Sequence, residues 1–323
     1  MTRLIPVALV VTFIVHTTAW SQPNDKVESR PVTFWSDGVK LSGDLWYPKD
    51  RAEDEELPAI VLCHGWGGTK SHLNATYAPM FASGGFFVLA FDYRGWGDSD
   101  SRIVNRGAPA KTDDDGTATL EVQVIREVVD PYDQLEDIRN ALLFIEGEPG
   151  VDAERIGVWG TSFGGGLVVY TAANNPRIKC VVSQVGAHDA LDAALQPFLE
   201  NGGAKALREY EIRRVRGEEA PIPQGEFVFP GLRGTPHVTE MFRYRPVNEA
   251  LRVQAPTLLI DAEHEELFDR MQHSKKVYDI LVANGVEAKY HVEPGIKHYG
   301  IYSERYEQGA GLALDWFTRH LKN

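Results

Sequence analysis

A serine at position 162 lies in the string G-V-W-G-T-S-F-G-G-G, residues 157 to 166. A serine hydroxyl is a weak nucleophile alone; it needs an adjacent base, commonly a histidine, which a carboxylate orients. With ten histidines and 46 acidic residues in the chain, residue type decides little and placement decides everything. G-x-S-x-G strings also occur in plain glycine-rich turns. Here the flanks discriminate: R-I-G-V-W reads as a strand ending at Trp159, and a helix leaves from about Phe163. So tight a turn forces unusual backbone angles on Ser162, and Gly160 and Gly164 remove side chains that would clash. It also lifts the hydroxyl clear of the sheet and aims a helix N-terminus, which favours developing negative charge, at the same spot. Gly165 and Gly166 let that helix pack close to the sheet.

The surrounding elements must hold this turn rigid. P-V-T-F-W and K-L-S-G-D-L-W-Y alternate around S-D-G and predict an opening hairpin. P-A-I-V-L-C, G-F-F-V-L-A-F, I-K-C-V-V-S-Q-V and P-T-L-L-I-D are the continuous apolar runs of buried parallel strands, and E-A-K-Y-H-V follows as the last strand. Between them, helical patterns are expected at Ala75 to Ala82, Tyr132 to Ile145, Leu167 to Ala173 and Met271 to Ala283, with a terminal helix from Gly309 to Leu321. Alternation at this spacing predicts one α/β domain over residues 22–323, a mostly parallel eight-stranded sheet with helices on both faces. Residues 99–130 form a long polar connection. Residues 187–250 interrupt the sheet after the sixth strand as a lid or cap insertion.

Strand, serine turn and helix together resemble the nucleophile elbow of the α/β-hydrolase superfamily. That resemblance implies two backbone N–H donors for the oxyanion of acyl transfer: Phe163, just after the serine, and Trp66 in L-C-H-G-W-G-G-T-K. His64 of the same string is expected to buttress the loop, with Gly65, Gly67 and Gly68 around it. The resemblance also implies an acid and then a histidine, in chain order after the serine. His298 in E-P-G-I-K-H-Y-G follows the last strand and is the expected base; His188, His264, His291 and His320 fall elsewhere. The acid region reads P-T-L-L-I-D-A-E-H-E-E-L-F-D. Many relatives carry an aspartate five residues beyond the strand's final Ile; here that position is Glu265. Glu263, Glu266, Asp261 and Asp269 are rivals for the role. Asp92, Arg94 and Asp98 of F-D-Y-R-G-W-G-D-S-D match a loop whose charges fix loop structure in relatives.

More narrowly, D-G-V-K-L-S-G-D-L-W-Y-P, L-P-A-I-V-L-C-H-G-W-G-G-T-K and D-P-Y-D-Q-L-E-D-I-R-N-A resemble the dienelactone-hydrolase-like and Xaa-Pro-peptidase-like branch. The elbow is similar to that of polyketide thiohydrolases and acyltransferases. The resemblance implies a serine hydrolase cleaving a carboxylic ester, thioester or lactone. Acyl transfer, peptide cleavage and a non-catalytic binding role on the same fold are the competing readings. In the insertion, A-K-A-L-R-E-Y-E-I-R-R-V-R-G-E-E reads as a solvated charged helix. E-F-V-F-P-G-L-R-G-T-P-H-V mixes aromatics with turn formers; it either lines an apolar acyl pocket or packs as lid core.

A formal net charge of −13 argues against nucleic-acid or anionic-membrane partners, and the expected ligand is a small ester or thioester. No dinucleotide fingerprint or metal-ligand cluster stands out, so neither cofactor nor metal is expected. Residues 1–21 read as a cleavable signal peptide: Arg3, apolar Leu4 to Val15, then Ala19-Trp20-Ser21. The apolar run is short of the roughly 20 residues that span a bilayer, so a secreted or periplasmic protein is expected. Cys63 and Cys180, each inside a strand-like run, are expected to be free core thiols.

Overall fold

A computed structural model of the chain describes residues 25–189, 199–223 and 231–322. The expected signal peptide lies outside the described residues, as do 190–198 and 224–230 of the insertion. Eight strands form the main sheet: β1 (Val27–Ser36), β2 (Val39–Pro48), β3 (Leu57–Cys63), β4 (Phe87–Phe91), β5 (Val151–Thr161), β6 (Ile178–Gln184), β7 (Thr257–Ala262) and β8 (Ala288–Glu293). Their spatial order is β1-β2-β4-β3-β5-β6-β7-β8. Both neighbours of β2 pair with it antiparallel, and every other pairing is parallel. The expected antiparallel edge is therefore a single strand, β2, and β1 beyond it runs with the rest.

The two faces of the sheet bury different layers because successive side chains alternate. On β3, Ala59, Val61 and Cys63 join one apolar cluster while Ile60 and Leu62 join the other. The first is covered by α3 (Pro131–Glu146), α4 (Phe163–Asn174) and α8 (Ser274–Ala283), through residues such as Ile138, Leu167, Val277 and Leu281. The second is covered by α2 (Tyr77–Ser83) and α9 (Tyr306–Leu321), through Tyr77, Phe81, Ala313 and Phe317. Coverage on both faces is why all seven residues of β3 and all five of β4 are buried.

Local chemistry sets the helix boundaries. Asp130 caps α3, its carboxylate accepting from the amides of Tyr132 and Asp133, and Pro131 fits the first turn. The helix expected at Ala75–Ala82 is α2, and a further short helix, α1 (Lys70–Asn74), precedes it. Where a start at Met271 was expected, α8 begins at Ser274. The polar connection of 99–130 carries a short antiparallel ribbon, 103–105 against 122–124. The charged stretch of the insertion is helix α5 (Ala204–Val215), with no buried residue. It is followed by α6 (Val238–Arg243) and α7 (Pro246–Glu249). Cys63 and Cys180 are buried and free, on β3 and β6 with β5 between them.

Candidate functional site

Five parallel strands, β3, β5, β6, β7 and β8, deliver their C-terminal ends to one edge of the sheet, where ligands of open α/β sheets bind. Ser162 stands between the end of β5 and the start of α4, at φ 54° and ψ −122°. A non-glycine residue there is strained and persists only when its surroundings over-determine it. They do. Its N–H donates to the Gln184 carbonyl at 2.9 Å, and its own carbonyl accepts from Gly165 at 2.9 Å and Ala187 at 3.0 Å. A Cβ on Gly164 would stand 2.2 Å from the Cys63 carbonyl, and one on Gly160 would stand 2.2 Å from the Gly164 carbonyl. Only glycine lets the three backbones close around the serine.

His298 sits on the short 3-10 turn after β8 and is 1% exposed. Its Nε2 lies 3.1 Å from Ser162 Oγ, and its Nδ1 lies 2.7 Å from Glu265 Oε2. The second oxygen of Glu265 accepts from the Leu267 amide at 3.0 Å, so the carboxylate is held at both ends. The structure thus brings together Ser162, His298 and Glu265.

It places the rival acids elsewhere. Glu263 accepts from the Gly295 amide at 2.8 Å, and Glu266 accepts from the His298 amide at 2.9 Å. Both brace the histidine loop through its backbone, away from the imidazole. Asp269 accepts from the Met271 amide at 2.9 Å, ahead of α8. Asp261 is buried on β7 and takes hydroxyl hydrogen bonds from Ser274 at 2.8 Å and Tyr290 at 2.9 Å. Burial, opposed by those two bonds, raises the Asp261 carboxyl to about 7.

That value carries a stability prediction. Unfolded, Asp261 releases its proton near pH 4; folded, it keeps the proton to about pH 7. The folded state therefore binds more protons in this window, and stability falls as pH rises from about 4 through about 7. Asp261→Asn removes the loss. Urea unfolding at pH 5 and pH 8 should show the variant gaining on the wild type by a few kcal/mol at the higher pH. A difference independent of pH would mean that Asp261 does not titrate in this range.

The rings of Trp66 and Phe163, the expected oxyanion donors, meet edge-to-face at 5.6 Å, and both residues line the cavity with Ser162. Phe163 opens α4, where the first amides have no intrahelical acceptor. His64 is buried against Tyr93, its ring donating to the Gly65 carbonyl at 3.0 Å, and burial lowers its pKa to about 4. A neutral, buried ring bonded within its own loop fits the expected buttress. Asp92 accepts from the amides of Lys70 and Asp98, Arg94 binds Asp137 in the core, and Asp98 pairs with Lys70. All three fix loops, as expected.

A cavity of about 780 Å³ opens on Ser162 and His298. Its walls are largely apolar: Trp66, Phe163, Leu232, Met241, Tyr244 and Phe268. Asp189, paired with Arg245 at 3.0 Å, is its charged contribution. Asp189, Leu232, Met241 and Tyr244 come from the insertion; Phe227 and Phe229, the aromatic half of the expected lining, lie outside the described residues.

Several contacts had no sequence signal. Thr161 shares a hydrogen bond of 2.7 Å with Tyr302, and Gln184 donates to Thr161 and to Tyr77, tying the elbow to the histidine turn and to α2. His237 of the insertion donates from Nδ1 to Asp130 at 2.6 Å while its Nε2 accepts from Arg214 at 3.0 Å. That chain fastens α5 to the cap of α3.

The chain belongs to the α/β hydrolase fold family, whose model matches residues 58–228. It is 30% identical over 287 residues to an uncharacterised 31.7 kDa Escherichia coli protein from the traX-finO intergenic region, covering 82% of this chain and 91% of that one. Similarity to the acyltransferase drtE of Aspergillus calidoustus is 30% over 312 residues, covering 86% and 90%. Among solved structures, the α/β hydrolase GrgF of Penicillium sp. sh18 superposes with a TM-score of 0.66 at 18% identity, over 92% of this chain and all of that one. At that identity the superposition speaks for the fold.

Proposed function

We propose that the protein is a serine hydrolase of carboxylic esters or thioesters, working through Ser162, His298 and Glu265. The observation that carries the reading is the unbroken line from Glu265 through both nitrogens of His298 to Ser162 Oγ. His298 Nε2 takes the hydroxyl proton as Oγ attacks the carbonyl carbon. The amides of Trp66 and Phe163 receive the oxyanion, and the Glu265 carboxylate balances the imidazolium. Collapse expels the alcohol or thiol, which leaves with the proton from His298. Water then gives a proton to His298 as it attacks the acyl-enzyme, and collapse releases the acid while His298 returns that proton to Ser162 Oγ.

A cavity of about 780 Å³ with mainly apolar walls supports a substrate of modest size carrying an apolar acyl or aryl group. Acyl transfer to an alcohol or amine is the second reading, favoured by the acyltransferase among the relatives. Removal of residues 1–21 and action outside the cytoplasm belong to the same proposal, supported by the residue pattern of that segment.

The test is mass spectrometry after fluorophosphonate treatment, followed by p-nitrophenyl ester and acyl-thioester turnover with and without an acceptor. One adduct, on Ser162, with release of free acid is the expected result. No adduct on folded protein would favour a binding role, and acyl product on the acceptor would favour transfer.

A further inference from the structure

We infer that residues 231–237 of the insertion act as a strap that positions the oxyanion loop through the Trp66 indole, so that the insertion sets transition-state stabilisation as well as pocket shape. The inference rests on the serine chemistry proposed above.

Trp66 Nε1–H donates to the backbone carbonyl of Arg233 at 3.0 Å. An indole has one donor and no acceptor, so this bond fixes the direction of the ring. The ring also meets Phe163 edge-to-face at 5.6 Å. Trp66 is thereby clamped between the strap and the residue that offers the second oxyanion amide. The fit is close on the next residue too. Gly67 has φ +68°, and a Cβ there would stand 3.1 Å from the same Arg233 carbonyl.

The strap itself is anchored on the body. The Arg233 guanidinium binds the Glu127 carboxylate through Nε at 3.0 Å and through a second nitrogen. The Thr235 amide donates to the Glu127 carbonyl at 2.8 Å, and the His237 amide donates to the Val129 carbonyl at 2.9 Å. Residues 235–236 pair with 128–129 as a short parallel ladder, and the His237 ring bonds Asp130. Leu232, one residue before the carbonyl that holds Trp66, lines the cavity. One segment thus touches both the acyl space and the loop that must receive negative charge.

Oxyanion donors act only when they meet the charge that develops, so their misplacement lowers kcat and leaves ground-state binding alone. Trp66→Phe keeps an aromatic ring against Phe163 and deletes the N–H. It should cut kcat about 10–100-fold, the scale of a donor misplaced by about 1 Å, over and above any change in KM from the smaller ring in the cavity wall. Affinity for a trifluoromethyl ketone, which forms a tetrahedral oxyanion on the serine, should fall by the same factor. Arg233→Ala, at an exposed side chain, leaves the carbonyl and the Thr235 bond but removes the ion pair with the Glu127 carboxylate. It should give a smaller loss with the same split, and it decides the matter if Trp66→Phe melts early.

Unchanged kcat in a folded Trp66→Phe variant, or a loss confined to KM, overturns the strap's role. Fluorophosphonate labelling of wild-type Ser162 separates the two failures. Labelled wild type with indifferent variants sinks the strap alone, whereas unlabelled wild type sinks the serine chemistry and the strap's role with it.

Discussion

Ser162→Ala is expected to lower kcat/KM by about 10⁴–10⁶-fold, some 5–8 kcal/mol of transition-state stabilisation, without loss of fold. The two halves of that expectation have separate physical grounds. Activity falls because the covalent route ends; what survives is binding and any oxyanion stabilisation of direct attack by water. The fold survives because the structural work at this position is done by backbone: the N–H on Gln184 and the carbonyl taking Gly165 and Ala187. Alanine keeps the Cβ, so the positive φ costs what it already costs in the wild type. The side chain lost is a hydroxyl facing a cavity, so thermal unfolding should move by no more than about 0.5 kcal/mol. Steady-state kinetics, a melting curve and the adduct mass on one preparation check all of it. Wild-type turnover in the variant would place the chemistry on another residue.

The elbow was legible because its physics is local. Strand, serine, glycines and helix all lie between Val151 and Asn174, and the turn's steric demands are written in Gly160 and Gly164. His298 was legible for a related reason: it follows the last strand of the alternation by a short loop. The acid was harder. Glu263, Glu265 and Glu266 stand within four residues in an irregular loop, where no period of 2 or 3.6 says which way a side chain points. Position along the chain singled out Glu265 only through the resemblance to relatives. Least legible were the contacts that span the insertion. Trp66 and Arg233 are 167 residues apart, and His237 and Asp130 are 107 apart. Neither pair carries a spacing or a composition that announces it, since the partners meet only after the sheet has assembled.

The second large effect is therefore also the sharper test of assignment: Glu265→Gln should reduce kcat about 10³–10⁴-fold, while Glu263→Gln and Glu266→Gln should each cost under about tenfold. The amide at 265 is nearly isosteric and still reaches Nδ1. It carries no charge to balance the imidazolium, however, and its NH₂ end can bind the ring in the wrong tautomer, leaving a proton on Nε2 where Ser162 needs an acceptor. Glu263 and Glu266 accept from backbone amides, a bond that a glutamine oxygen makes as well. Their substitution changes charge near the site and leaves the line from carboxylate to hydroxyl intact. Glu265→Asp separates charge from reach: a partial recovery over Glu265→Gln is expected, because the shorter carboxylate keeps the charge but must move to regain the 2.7 Å contact. Single-turnover acylation measured across the four variants gives the comparison directly. Equal losses at 263, 265 and 266 would mean that the loop's total charge matters and that no single carboxylate orients the imidazole.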